Sequence, residues 1–540
     1  MRLRKDSTTW AVSLIATFGC LLSSASAQTP VDPLTPRDSS RFLAQATLGA
    51  NWEEIDRTTS IGLERWFDEQ FAQPVGYHEP DLIALENLGI PLDNDMRRAI
   101  WWGQVMESPD MLRQRVAFAL SEILVVSDNL STISDNPRGM ANYYDMLLGH
   151  AFGNYRDLLL DVTLHPIMGV YLSHLGNQRS NPSLGRFPDE NYAREVMQLF
   201  SIGLFELNLD GTLQLDGQGD PIPTYDNDDI TEFAKIFTGL SHASAVPMFR
   251  GGDPVWDRPM RMYDAYHEPG PKYLLRGRYL PPGQSGMEDV EAAIDNLFGH
   301  PNVAPFIARR LIQRLVTSNP SPAFVRRVAE VFQNNGSNVR GDLAAVVRAI
   351  LLDVEARTWP SANDSTGGRL RESFLRRVHL ARAFDADSLA GSYPIVDSSA
   401  PVNFGQRPLS SPTVFNFFVP DHQPLGEISD AGLYAPEFQI ITAVTAIASA
   451  DDLERQIGAG MNSSQDPFTE VQLDLSDEIA LAPNITALVD RLDLILTYGD
   501  MSGTMRQILV AALSQLSDPT ERAELAIYLV SISPEYAVVQ

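Results

Sequence analysis

The chain has 540 residues, 44% of them hydrophobic and 20% charged, a composition that supports a large folded core and excludes wholesale disorder. Its formal charge is −28 and its isoelectric point about 4.6, so its field repels nucleic-acid phosphates and anionic lipid. Three lysines stand against 38 arginines, which makes nearly every cation a planar fork suited to carboxylates.

Residues 1–27 read as an export signal. Arg2, Arg4 and Lys5 precede an apolar run from Trp10 to Leu22, and Ala25-Ser26-Ala27 offers small residues for cleavage before Gln28. A lipoprotein anchor at Cys20 competes with this reading, but Thr17-Phe18-Gly19 makes a poor lipobox. Cys20 is the only cysteine, so a chain cleaved after Ala27 has no disulfide and no thiolate ligand to offer. No later stretch approaches the roughly 18 apolar residues of a membrane span. The expectation is a secreted or periplasmic protein without a transmembrane span in its mature chain and without a nucleic-acid partner.

Most of the remaining chain carries helical periodicity. "DSSRFLAQATLG" places Phe42, Leu43, Ala46 and Leu48 at helical spacing, with Gly49 as a stop. "SIGLERWFDEQF" and "DMLRQRVAFALSEILVV" continue the pattern. The stretch from Tyr143 to Gly176 predicts three short helices, broken near Gly153 and at His165-Pro166. A polar loop, "GNQRSNPSLGRF", leads into "PDENYAREVMQLFSIGLFEL". The period then changes: Phe205, Leu207 and Leu209 alternate with polar residues before Asp210-Gly211 and "TLQL", which predicts a small β-hairpin with a two-residue turn. Helix resumes at "DDITEFAKIFTGL".

These signals predict a mainly α protein: one large multi-helix domain over 36–535, with a small β-hairpin insertion and two long irregular loops. Its parts are an N-terminal half (36–242), an irregular insertion (243–287), arginine-rich helices (288–385), a second irregular segment (386–430) and C-terminal helices (431–535). No fixed-period repeat points to a solenoid.

The stretches "RFLAQATLG", "FGNYRDLLLDVTLHPIMGVYLSHLGN", "DENYAREVMQLFSIGL", "FIARRLIQRLV", "VVRAILLD" and "GQRPLSSPTVFNFFVPD" resemble, in order, the bacterial domain-of-unknown-function family 1800. The piece from His267 to Lys272 is similar as well. "RVAFALSEILVV" departs from the family, many of whose members show a Trp- and His-rich segment there. The resemblance implies a mostly helical, exported protein, commonly encoded beside an exported sulfatase-like partner of domain-of-unknown-function family 1501. It implies no established reaction.

The signature helix raises the main chemical question. With Asp189 as N-cap, Tyr192, Val196, Leu199, Phe200 and Gly203 form an apolar stripe, and Asn191, Arg194, Glu195 and Gln198 share the remaining arc. On a solvated face, Glu190 and Arg194 would be an ordinary i,i+4 pair. On a shielded face the ionic groups would have to satisfy one another or a ligand. The catalytic candidates are then Glu190, Glu195 and His267, and the binding candidates Asn177, Asn191, Arg194 and Lys272. His165 and His174 are spaced too far apart for a helical metal pair. Nine acids and no cation lie between Glu195 and Glu232, so Asp216, Asp220, Asp226 and Asp228 are weak calcium candidates, although the EF-hand spacing fails.

Arg309, Arg310, Arg314, Arg326, Arg327, Arg369, Arg371, Arg376, Arg377 and Arg382 concentrate positive charge in the C-terminal half, as partners for the acids or as a groove for an acidic polymer. No nucleophile elbow, phosphate loop or dinucleotide fingerprint occurs. Two functions fit these features. One is an interaction or assembly factor acting with an exported partner on envelope or extracellular material. The other is a polymer-acting hydrolase or lyase built on a Glu/Arg/His cleft.

Overall fold

Helix starts are written where short polar side chains or prolines precede apolar runs. Thr35, Asn51, Asp226 and Ser285 each close a reciprocal capping box, satisfying backbone N–H groups that the first turn leaves free. Pro137, Pro166 and Pro322 open helices at positions where a missing N–H costs nothing. His165 ends one helix and caps the next, accepting from Ile167 N at 3.2 Å, so the predicted break at His165-Pro166 is a junction between Tyr155–Leu164 and Pro166–Tyr171.

The computed structural model describes residues 34–246, 248–359, 367–462 and 466–539. The export-signal expectation, with Cys20 and Ala27, lies outside the described residues. Within them the protein is mainly α, 54% helical, with 26 α-helices and three two-stranded antiparallel sheets. One continuous apolar core runs from Phe42 to Tyr536. The first described helix, Pro36–Ala46, packs on Ile485–Leu496, and Val538–Val539 pairs with Arg369–Leu370, so chain start, middle and end share that core. Among the described residues no helix is long and apolar enough to cross a membrane.

The predicted hairpin takes a looser form. Leu207 bridges Leu213, Leu215 bridges Pro221 and Phe205 bridges Pro223, all antiparallel and too short to count as strands. Asn208 N bonds Thr212 O at 2.8 Å, which leaves three residues in the turn rather than two, the last being Gly211 at φ 78°. The result is an arm whose Leu204, Phe205 and Leu213 stay exposed. The insertion at 243–287 holds one small sheet, Lys272–Leu274 with Arg278–Leu280, and supplies Arg261–Met262, which pairs with Leu240–Ser241 just before it.

Candidate functional site

The signature helix spans Asn191–Gln198. Asp189 accepts from Asn191 N at 2.9 Å but stands one residue before the N-cap, which is Glu190 and makes no side-chain cap bond. Asn177 holds this start in place, exchanging hydrogen bonds with the Asp189 backbone (3.0 and 3.3 Å). Asn191 is exposed. Glu190 and Arg194 meet at 3.5 Å with side chains 45% and 42% exposed, so water screens the pair, and the expectation of a shielded ionic cluster fails at both residues. Glu195 alone of the four is buried. Its Oε2 has no hydrogen-bond partner, and burial raises its pKa above the ordinary carboxylate range, with Arg194 pulling the other way.

His267 and Lys272 belong to a different node. His267 Nε2 and Lys272 Nζ converge on Asp289 Oδ2 at 2.9 and 2.5 Å, and all three residues are buried. His267 Nδ1 faces the Thr238 carbonyl at 2.9 Å, while Lys272 Nζ also donates to the carbonyls of Glu268 (2.6 Å) and Gly270 (3.2 Å). Both ring nitrogens of His267 face protein oxygens, with Thr238 Oγ1 also 3.3 Å from Nδ1, so the buried ring is fully engaged within the protein. No hydrogen bond or ion pair joins Glu195 to His267 among the described residues. His174 lies against the Tyr192 ring at 4.0 Å and its Nε2 donates to the Thr163 carbonyl at 2.8 Å, and burial lowers its pKa to about 4.

Two of the calcium candidates, Asp216 and Asp226, make local backbone contacts. Asp216 accepts from Gln218 N and Asp220 N within its turn, and Asp226 caps Asn227–Ile236 through Asp228 N and Asp229 N. Among the described residues no three His, Cys, Asp or Glu side chains are placed to hold a metal ion.

The largest departure from expectation lies beyond the other end of the signature helix. Gln198 and Leu199 begin one wall of a groove of about 410 Å³. The arm continues that wall with Leu204, Phe205 and Leu213. The Val303–Leu315 helix supplies Phe306 and three guanidiniums, Arg309, Arg310 and Arg314, and the segment from Val414 to Asp421 closes the opposite side. Arg309 lies over the Tyr434 ring (5.4 Å) and Arg310 over Phe306 (4.9 Å). Among the described residues neither has a carboxylate within ion-pair distance, although Asp421 on the same lining pulls on Arg310 from farther away. Arg310's one hydrogen bond goes to Gln313 Oε1 at 3.3 Å, and burial, then repulsion from Arg309 and Arg314, lowers its pKa to about 9.

The floor is Glu122. Its Oε1 accepts from Gln406 Nε2 (3.1 Å) and Asn416 Nδ2 (3.3 Å), and Arg314 Nε lies 3.6 Å from its Oε2. The segment that carries Gln406 and Asn416 is held at unusual dihedrals: Leu409 and Asn416 have φ of 57° and 68°. Gly405 precedes Gln406 at φ 69°, and a Cβ there would meet Ile440 O at 2.9 Å. Hydrogen bonds from Asp128 N to Leu409 O (2.9 Å) and from Ser127 Oγ to Ser411 O (2.7 Å) tie this segment to the chain just after Glu122.

The pieces of sequence that meet here, "LFSIGL", "FIARRLIQRLV" and "GQRPLSSPTVFNFFVPD", lie within the part of the chain that a known family covers. A model of the family described as a protein of unknown function (DUF1800) matches residues 41–538. The chain belongs to this family. No curated protein and no solved structure matches it significantly.

Sequence reasoning named Arg309, Arg310, Arg314 and Arg369 but missed Glu122, Glu372, Glu437 and Gln406. One signal was available. Every residue of Ser373–Ala383 is buried although the segment holds three arginines and a histidine, and a helix that is buried around its whole circumference yet charged requires internal partners. Those partners are Asp397 for Arg377 and Glu54 for Arg382. Arg369, just before this helix, lies 3.6 Å from Glu372 and 3.7 Å from Glu437.

Proposed function

We propose that this protein is an interaction or assembly factor whose working surface is the groove above Glu122, and that the groove grips an apolar segment of a partner protein bearing an acidic group. The support is charge against context. In a chain of formal charge −28, Arg309 and Arg310 line the groove with no carboxylate within ion-pair distance among the described residues. Asp421 on the same lining acts on Arg310 only at longer range, whereas Arg97, Arg377 and Arg382 are buried against acids. A guanidinium held against a ring is an anchor that an incoming carboxylate completes. Exposed Leu204, Phe205, Leu213 and Phe415 line the same groove, and clustered apolar exposure of this kind marks an interaction site. In this reading the protein acts after export, on envelope or extracellular material, and the sulfatase-like partner of family 1501 is the first candidate to supply the segment.

The chemistry of the groove is tested with anilinonaphthalene sulfonate, a fluorescent apolar anion. The expected result is one bound equivalent whose affinity falls about tenfold in Arg310→Ala, the loss of one charge-assisted contact, and holds in Arg194→Ala. Equal affinity in all three proteins would remove the groove as an anion site.

A further inference from the structure

Behind the floor of the groove lies a second acid. Glu122 Oε1 and Glu372 Oε2 both accept from one amide nitrogen, Gln406 Nε2, which draws the two carboxyl groups together with no cation between them. The surrounding guanidiniums stay outside hydrogen-bond reach. Arg314 Nε is 3.6 Å from Glu122, Arg369 Nη1 is 3.6 Å from Glu372 and 3.7 Å from Glu437, and Arg115 commits Nη2 to the Arg314 carbonyl. Glu122 Oε2, Glu372 Oε1, Glu437 Oε2, Arg115 Nη1 and Arg369 Nη1 are all buried without a hydrogen-bond partner. The other groups packed on Glu122, Gln406 and Asn416, are neutral. Two carboxyl groups drawn to one donor away from water repel each other when both are ionised, which favours holding a proton between them.

We propose that Glu122 and Glu372 share one proton, and that Glu122, which faces the groove, donates it in a hydrogen bond to an acceptor oxygen of the bound segment. This rests on the groove being the working surface. Arg314 stands beside Glu122 and Arg310 one helical turn away, so the site offers a neutral O–H donor next to two cationic forks. That set suits a carboxylate, one oxygen taking the O–H and the other a guanidinium. Burial, then the neighbouring Glu372, pushes the Glu122 pKa well above the ordinary carboxylate range against the pull of Arg314 and Arg115.

A hydrophobic carbodiimide adds to carboxyl groups in their protonated form, and peptide mass spectrometry of the full chain reads which residue carries the adduct. Exposed carboxylates such as Asp216 lose reactivity about tenfold per pH unit through the neutral range, because their protonated fraction falls that way. Glu122 is expected to label at a level rate from about pH 6 to pH 7.5 and to decline only above about pH 8. Glu372→Gln removes the like charge and should shift that decline to lower pH. A Glu122 rate that falls through the neutral range like an exposed carboxylate, or a profile unmoved in Glu372→Gln, overturns the proposal. Protection of Glu122 by anilinonaphthalene sulfonate tests the groove separately. Level labelling without protection leaves the shared proton standing and removes the groove reading.

Discussion

Two buried ionic nodes in this protein use the same kinds of side chain and differ in what surrounds them. At the Asp289 node, one carboxylate faces a histidine and a lysine at hydrogen-bond distance, backbone carbonyls take the remaining protons, and only Asp289 Oδ1 is left without a partner. At the Glu122 node, three carboxyl groups and three guanidiniums sit at 3.6 Å or more, several polar atoms are unmatched, and one face opens on a groove. Burial of charge therefore does not by itself mark a working site. Satisfied and enclosed, it is a clamp; unmatched beside a cavity, it has capacity for a ligand.

The comparison can be broken most forcefully at the clamp. Asp289→Ala leaves Lys272 and His267 buried without their counter-ion and should cost about 3–5 kcal/mol, read as a drop in the urea midpoint at unchanged slope. A loss under about 1 kcal/mol would mean that the node is not a clamp.

The nodes should also differ in sign with pH. Burial raises the Asp289 pKa but the His267 and Lys272 contacts outweigh it, so the net value lies below the ordinary 3.8. Its stabilising contribution is therefore present above that value and lost as pH falls through the lowered one. Glu122 behaves in the opposite way. Its folded pKa of about 8 lies above the ordinary 4.5, so the folded state binds the extra proton and stability declines as pH rises between those values. Glu437, raised by burial to about 7, adds to the same decline. Glu122→Gln should flatten part of it, recovering about 2–4 kcal/mol at pH 8 relative to pH 5, by urea titration at both pH values. An unchanged slope would contradict a protonated Glu122.

The smallest effects belong to the signature helix start. Glu190→Ala and Arg194→Ala should each change stability by less than about 0.5 kcal/mol, as expected for a half-exposed i,i+4 pair. A loss of 2 kcal/mol or so at either residue would place that pair in a shielded site after all.

How much of this was legible in the sequence follows from what each feature depends on. The helices were readable because caps and apolar spacing are local: Asp226 and Ser285 announce their helices, and His165-Pro166 announces a break. The family signature drew attention to the start of its helix. Its conspicuous charges, Glu190 and Arg194, are hydrated, whereas its plain C-terminal residues Gln198 and Leu199 line the groove. The Glu122 node was illegible for a different reason. Glu122, Arg314, Glu372, Gln406 and Glu437 come from separate stretches of chain, and long-range ties such as those between 127–129 and 409–411 bring Glu122 to the segment that carries Gln406. Glu122 also lies in "RVAFALSEILVV", the segment that departs from the family pattern, so resemblance directed attention away from it.

The central claim is that the groove above Glu122, and not the start of the signature helix, is where this protein meets its partner. A photo-crosslinking residue placed in turn at Leu213, in the groove, and at Asn191, on the signature helix, tests this in the native host. The account predicts one discrete protein adduct from position 213, absent in an Arg310→Glu background, and none from position 191. A discrete adduct from position 191 alone, an adduct from 213 that is indifferent to Arg310, or a lipid adduct in place of a protein would contradict it.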